Sequence, residues 1–593
     1  MAGLLTFDCS KTLQAIFTTC LELKSRRVAQ RMDGILASHV KNPAEGTQLP
    51  AKVLTADTFV TGRTRLLAKA LTADAFVSGD KTFMRLLKVL CLTLFLVSIS
   101  LLLFHDQAAI AHDQPSRIGE RPTLEEHVKQ FDLEFGRMRF DDLLEIGEEI
   151  FAARWNLLDG QGRPAATGAG APTKRDPLNN IPFARTSGPD ATSCADCHHQ
   201  PMIGGAGGFV ANVFVLAQVL DPVTDSISGE FSNERNTLGM NGSGAIEMLA
   251  REMTVDLQKL RQFAIEKARQ SRRDFTVSLV TKGVDFGQLT ARPDGAVDAS
   301  KVEGVDPDLI IKPFHQKGVV NSVRVFTVNA YNHHHGMQAV ERFGAGQKDN
   351  KGNTITTNDF DEDGVPDEMT VGDITAATIF QATMNIPGLV IPSDHRQRAA
   401  AQRGEAFFED IGCADCHRPQ LNLESAMFSE PNPFNPPGNL RPQDVRRQIV
   451  FDLTQDIPGP RLERREHGKR GAVVRAYTDL KRHVICDEMD PFFCNERIVQ
   501  SGVPANQFIT RKLWDVGNTA PYGHRGDLTT ITEAILHHAG EARPQRERFA
   551  ALTKESQNEI VEFLKQLQVL PNGAPREITD RQLKQLLRNR KGD

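Results

Sequence analysis

The chain has 593 residues, 40% hydrophobic and 24% charged, which excludes a collagen, a long coiled coil and a disordered tail. That length suits roughly two to four domains. A formal net charge of −5 leaves no basic footprint for nucleic acid, and nine cysteines are too few for a disulfide scaffold of this size. Their placement says more than their number. Cys9, Cys20 and Cys91 precede residue 112, and the rest form the pairs Cys194/Cys197, Cys413/Cys416 and Cys486/Cys494.

Residues 1–83 contain a short repeat, LTADTFVTG at 54–62 and LTADAFVSG at 71–79, with no chemistry attached. They read as an upstream extension, without packed structure, of a protein that starts at Met84. Residues 84–111 have the three parts of a secretory signal. Arg85 and Lys88 come first, then the uncharged run Val89–Phe104, then small residues ending at Ala111. The chain is therefore expected to be exported to the periplasm, touching the membrane only if this leader stays uncleaved. Cleavage after Ala111 would leave a net charge of about −10.

The next predicted element is a helix through Gly147-Glu-Glu-Ile-Phe151, followed by a Gly/Pro-rich loop over 159–190. It leads to Cys194-Ala-Asp-Cys197-His198, and an identical CADCH stands at Cys413-Cys416-His417. Cys-x-x-Cys-His is the spacing that attaches c-type haem, with two thioethers to the vinyl groups and the adjacent histidine under the iron. A zinc knuckle or a redox dithiol is the alternative for one such motif. Two identical copies in an exported chain favour haem.

Further along, Asp359-x-Asp361-x-Asp363-Gly364-x-x-Asp367 has the carboxylate and glycine spacing of a calcium loop, but Thr370 stands where an EF-hand has its bidentate glutamate. A helix-like stretch follows at 373–385. Before the second CADCH, Gly404-Glu-Ala-Phe-Phe408 repeats the Gly-Glu-x-x-Phe pattern, with Gly404 and Phe408 on one helix face. Cys486 and Cys494 are an even pair in an oxidising compartment and predict a disulfide. A helix over 529–540 would put Ile531, Ile535 and His538 on its apolar face and His537 on its polar face. Ile560–Leu567 closes the pattern with helical apolar spacing.

Several stretches resemble the bacterial di-haem oxidoreductases of peroxidase type, distant relatives of bacterial di-haem cytochrome c peroxidase and of the enzymes that mature methylamine dehydrogenase. They are Gly336–Phe343, Arg403–Phe408 with its CADCH, Asp479–His483, and Leu513-Trp-Asp-Val-Gly-Asn-Thr-Ala-Pro-Tyr-Gly-His524 continuing to His538. The resemblance spans about residues 120–570. It implies a mainly α fold of two cytochrome c-like haem domains with long loop insertions, at 120–390 and 391–575.

The resemblance also implies roles. His538 takes the offset where related peroxidases carry a methionine, so it is the expected distal ligand of the second haem. His524 would orient that site or meet a propionate. Met202 and the run His333-His334-His335 are the candidates at the first haem, which could also keep an open position. Glu247, in Gly244-Ala-Ile-Glu247, resembles the distal glutamate that moves a proton during O–O cleavage. Trp514 is the candidate electron relay. The expected activity is peroxide or oxygen chemistry at the first haem, with electrons entering through the second from a small redox protein or other donor. A non-catalytic di-haem electron-transfer protein and an oxygenase or protein-modifying enzyme are the alternatives.

Overall fold

A computed structural model describes residues 120–162, 191–208, 210–212, 234–348, 352–360, 363–465, 470–496 and 499–590. The expected extension, the secretory leader, most of the loop at 159–190 and Asp361 lie outside these residues. Pro115–Asp593 forms one unit. Among the described residues no helix is long and apolar enough to cross a membrane.

Two helix pairs organise this unit. In the first, α1 (Phe140–Ala152) buries Leu143, Gly147, Ile150 and Phe151, the i, i+4, i+7, i+8 stripe of a helix with one face in a core. It will pair with α4. Between them in sequence come α2 (Ser243–Ser271) and α3 (Val323–Ala330). The partner α4 (Val371–Thr383) is buried almost throughout and opens with a capping box between Thr370 and Asp373.

The second pair repeats the design. Asp394 caps α5 (His395–Asp410) by accepting from the Arg396 and Gln397 amides, and Ala401, Gly404 and Phe408 form its buried face. The helix α6 (Ile531–Leu536) follows, and then the partner α7 (Lys554–Leu564), which buries Ile560, Phe563 and Leu564.

Each pair closes at the glycine of its Gly-Glu-x-x-Phe pattern. A Cβ on Gly147 would fall 2.5 Å from the Ala376 carbonyl oxygen and 2.7 Å from Phe380 Cβ. A Cβ on Gly404 would overlap the Glu559 carbonyl itself. Gly404→Ala must therefore spread α5 from α7. We expect it to cost about 1–3 kcal/mol, as overpacking does, and Gly147→Ala to cost less because its closest approach, 2.5 Å, is less severe than the overlap at Gly404. Thermal unfolding of the two variants checks that order.

The mainly α, cytochrome c-like expectation is corrected: the fold is mixed α and β, with several small sheets. A hairpin, β1 (Val210–Asn212) with β2 (Glu234–Asn236), precedes α2. After α2 come β3 (Phe275–Thr281), β4 (Val284–Ala291) and β5 (Val297–Asp298) in one antiparallel sheet. Lys282 and Gly283 join β3 to β4, both at positive φ, which suits the twist of paired strands. After α4, β6 (Gly388–Ile391) lies between the late strands β14 (Leu567–Gln568) and β15 (Glu577–Thr579).

The span between α5 and α6 is mostly strand and loop. It holds β7 (Leu421–Leu423), β8 (Met427–Glu430), β9 (Ile449–Asp452), β10 (Glu463–Arg464), β11 (Ala472–Val474), β12 (Arg482–Val484) and β13 (Gln507–Ile509). These are two to four residues long and mostly pair with strands far away in sequence, as β11 does with β7. Local periodicity carries almost no signal for strands that short.

Candidate functional site

Each helix pair stands beside a cavity, and the two cavities are similar in volume. Phe151, Cys194, Cys197 and His198 line the first. Phe408, Cys413, Cys416 and His417 line the second. The local geometry is duplicated closely. The Phe151 and His198 rings lie 6.3 Å apart at 52°, and Phe408 and His417 lie 6.4 Å apart at 52°. The supporting pairs Phe151–Phe380 and Phe408–Phe563 are each 5.5 Å apart.

Both motif histidines are neutral, with Nδ1 tied to the backbone. His198 Nδ1 donates to the Leu238 carbonyl at 3.0 Å, and His417 Nδ1 to the Tyr477 carbonyl at 3.1 Å. That bond puts the proton on Nδ1 and leaves the Nε2 lone pair for a metal. Desolvation brings both rings down to a pKa of about 4, so they are uncharged at neutral pH. Desolvation also pushes the Cys194 and Cys413 thiols up to about 12. A redox dithiol needs a low thiol pKa, so this environment opposes that alternative.

His538 faces His417 in the second cavity. Helix α6 is shorter than expected, ending at Leu536, yet the partition of the two histidines holds. His537 stacks on Phe492 at 3.9 Å between ring centroids, while His538 lines the cavity. His538 Nδ1 donates to the Ala534 carbonyl at 2.6 Å, leaving its Nε2 available as at the other two histidines. The His417 and His538 rings are 6.5 Å apart. Two metal–imidazole bonds of about 2.0–2.1 Å, plus the distance from each ring's centre to its nitrogen, come to roughly 6.4 Å. The pair is spaced to share one ion.

Residues 470–567 match the family model described as "Di-haem oxidoreductase, putative peroxidase". The matched stretch holds His483, Trp514, His524 and His538, while both Cys-x-x-Cys-His segments lie outside it. No curated protein matches the chain. Among solved structures, one of Kuenenia stuttgartiensis hydrazine synthase pressurised with xenon aligns at 13% identity over 77% of this chain and 98% of that one, with a TM-score of 0.31. An overlap that loose bears on neither fold nor function.

The second cavity is completed by groups from the matched stretch. His524 is buried against Phe508, with Nε2 2.7 Å from Asn495 Oδ1. Desolvation, with Arg235, Lys317 and Arg525 nearby, holds it neutral. The Cys486–Cys494 disulfide is present and closes a loop whose Phe493 packs edge-on against His538. Cys416, Asp479 and His483 come close enough to hold a metal. His483 is already bonded to Asp479 at 2.9 Å and Glu541 at 2.7 Å, however, so the cluster reads as an ion pair beside the cavity.

At the first cavity, Tyr331–His335 form one π-helical turn, a distortion frequent at functional sites. It brings His333, His334 and His335 to the cavity wall. His335 is buried, with Nδ1 2.8 Å from the Ala191 carbonyl and Nε2 3.4 Å from Cys194 Sγ. Met202 lines neither cavity. His315 lines the first one and has no counterpart among the expected residues. It sits in an irregular turn at φ +72°, with no periodicity to mark it.

Glu247 is displaced from its expected role. Ser243 and Ile246 of α2 border the first cavity, but Glu247 is the next residue round the helix and points away from it. Its carboxylate is fully buried and fully engaged. It accepts from Arg251 Nε at 3.0 Å, Asn432 Nδ2 at 2.8 Å and the Val323 amide at 2.7 Å. Glu247 thus caps α3 and anchors a buried ion network.

Trp514 is buried in the wall of the second cavity, against Gly242 at the start of α2. Segments 236–239 and 510–512, with Gln316, line both cavities. A single layer of chain therefore separates the two.

In the acidic loop, Asp359 accepts from the Asp363 and Gly364 amides at 3.0 and 3.1 Å, and Asp363 from the Val365 amide at 2.8 Å. Asp367 is bonded to Asn358 at 2.6 Å. With Asp361 outside the described residues, these carboxylates serve the loop's own turn.

The duplicated cavities fit haem in chemistry. Each offers two cysteines, a neutral histidine with a free Nε2 and an apolar lining, and the second offers a histidine at bis-imidazole spacing.

Proposed function

We propose that the protein is an exported di-haem c-type oxidoreductase of peroxidase type. Cys194 with Cys197, and Cys413 with Cys416, would each hold one haem by two thioethers, over His198 and His417. The observation that carries this reading is the facing pair His417 and His538, each tied at Nδ1 to a backbone carbonyl and 6.5 Å apart. Bound in these cavities, haem supplies reversible one-electron chemistry and, where an axial position is open, activation of peroxide or oxygen.

The chain's own residues divide the work. His417 and His538 would both ligate the iron at the second site, which suits electron entry rather than ligand exchange. At the first site His198 would hold the iron, with His315, His333, His334 and His335 in the wall of the same cavity. Electrons would cross the wall that the two cavities share, with Trp514 on the side of the second. The acidic mature chain would suit a basic small redox protein as donor.

The test is to express the full chain with a cytochrome c maturation system. Two haems per chain that survive denaturation, one low-spin and one high-spin, with peroxide-dependent oxidation of reduced cytochrome c, support the proposal. Two low-spin haems indifferent to peroxide would refute it. They would favour a pure electron-transfer protein, for which His333 and His334 in the first wall are the supporting observation.

A further inference from the structure

The wall between the cavities carries an unmatched cation. Arg511 lines both cavities, and among the described residues no side chain pairs with it. The neighbouring cations each have partners. Arg235 is bonded to Glu496 and Gln500, Lys317 donates to the Pro504 and Ala505 carbonyls, and Lys512 donates to the Asn241 carbonyl at 2.7 Å. Burial alone acts on Arg511, drawing its pKa down to about 10, so it keeps its charge.

The backbone under Arg511 is pinned on both sides. The Thr510 amide donates to the Lys481 carbonyl at 2.9 Å, Thr478 Oγ1 donates to the Thr510 carbonyl at 2.7 Å, and the Leu513 amide donates to the Ala476 carbonyl at 3.0 Å. The side chain therefore starts from a fixed point between the two sites. Arg511 is half-buried and open to the two cavities, and a guanidinium so shielded from bulk water without a counter-ion is placed to receive an anion. The planar fork of arginine matches a carboxylate. Haem brings two propionate carboxylates into whichever cavity it fills.

We propose that Arg511 is a carboxylate clamp shared by the two cavities, pairing with a haem propionate from each side and so linking the two cofactors electrostatically. This rests on the di-haem reading. One fixed charge then acts on both irons and favours the reduced state of each.

The experiment is a spectroelectrochemical titration of the full-length holoprotein and its Arg511→Gln and Arg511→Lys variants. In R511Q both reduction potentials are expected to fall, each by a factor of about three to ten in the reduction equilibrium, the upper figure corresponding to about 59 mV for a one-electron couple. R511K keeps the charge but loses the fork, and should shift both potentials the same way by less. It carries the test alone if R511Q does not load haem, and the low-spin His417/His538 spectrum reports an intact fold. A shift at one haem only, or at neither, overturns the shared clamp. Fewer than two covalent haems in the parent protein overturns the di-haem reading instead.

Discussion

Replacing His538 by alanine is expected to convert the ferric second haem from low-spin to high-spin and to lower cytochrome-driven turnover by at least about tenfold. The ring stands opposite His417, with its Nδ1 held by the Ala534 carbonyl. An iron with one imidazole left is five-coordinate or takes up water, and either state reorganises on electron transfer more than a bis-imidazole centre does. Methionine at 538 should restore the low-spin spectrum. It should also raise the potential, by something on the order of 100 mV within the ~0.8 V range that axial ligands span. Were His538 only a core residue, the alanine variant would lose about 1 kcal/mol with its hydrogen bond and keep its spectrum. Absorbance in the visible region separates the two outcomes.

The largest stability effect is expected at Arg324. Its guanidinium is fully buried, bonded to Glu430 and Glu341 at 2.7 Å each and to Thr375. Arg324→Met strands two buried carboxylates, and breaking a buried pair in this way costs about 3–5 kcal/mol. The loss should depend on pH in a defined direction. Burial pushes Glu430 up to about 7 even with Arg324 in place, and Glu341 is raised by the same cause. An acid whose folded pKa exceeds its unfolded value holds its proton better in the folded state. Its contribution is therefore most favourable below about pH 4.5 and is lost as pH rises through the folded value. Without Arg324 both pKa values climb further. The R324M penalty is then larger at pH 8 than at pH 5.5, and Glu430→Gln added to R324M should recover part of it at pH 8. Denaturant unfolding at the two pH values measures both effects, and an equal penalty at each would show that the carboxylates are not the cause.

Some of the site was legible because its determinants are local. The haem-type spacing lies within five residues, and the Gly-Glu-x-x-Phe pattern before each motif marks a helix face. Both lead to duplicated helix–histidine geometry in the structure. The separation of His537 from His538 followed from helix phase and survived even though α6 stops at Leu536. Glu247 shows the limit of the same approach. Its neighbour Ile246 reaches the first cavity, and one step round the helix was enough to send the carboxylate into a buried ion network. Much of the β content was missed for a related reason, because strands of two to four residues owe their existence to partners elsewhere in the chain; the longer hairpin of β3 and β4 has a local partner and was missed all the same.

By itself the sequence determined the local framework: two Cys-x-x-Cys-His segments, one cysteine pair, the helices that carry Phe151 and Phe408, and the one that ends just before His538. Those are set by bonding and side-chain periodicity within a few residues. Only the tertiary structure decided which groups meet. The carbonyls that fix the proton on His198 and His417 come from 40 and 60 residues away, and the wall that joins the cavities brings 236–239 against 510–512. Burial made the difference. Desolvation holds the motif histidines neutral, and the packing of the wall leaves Arg511 without a side-chain partner among the described residues; neither is a property of residue spacing.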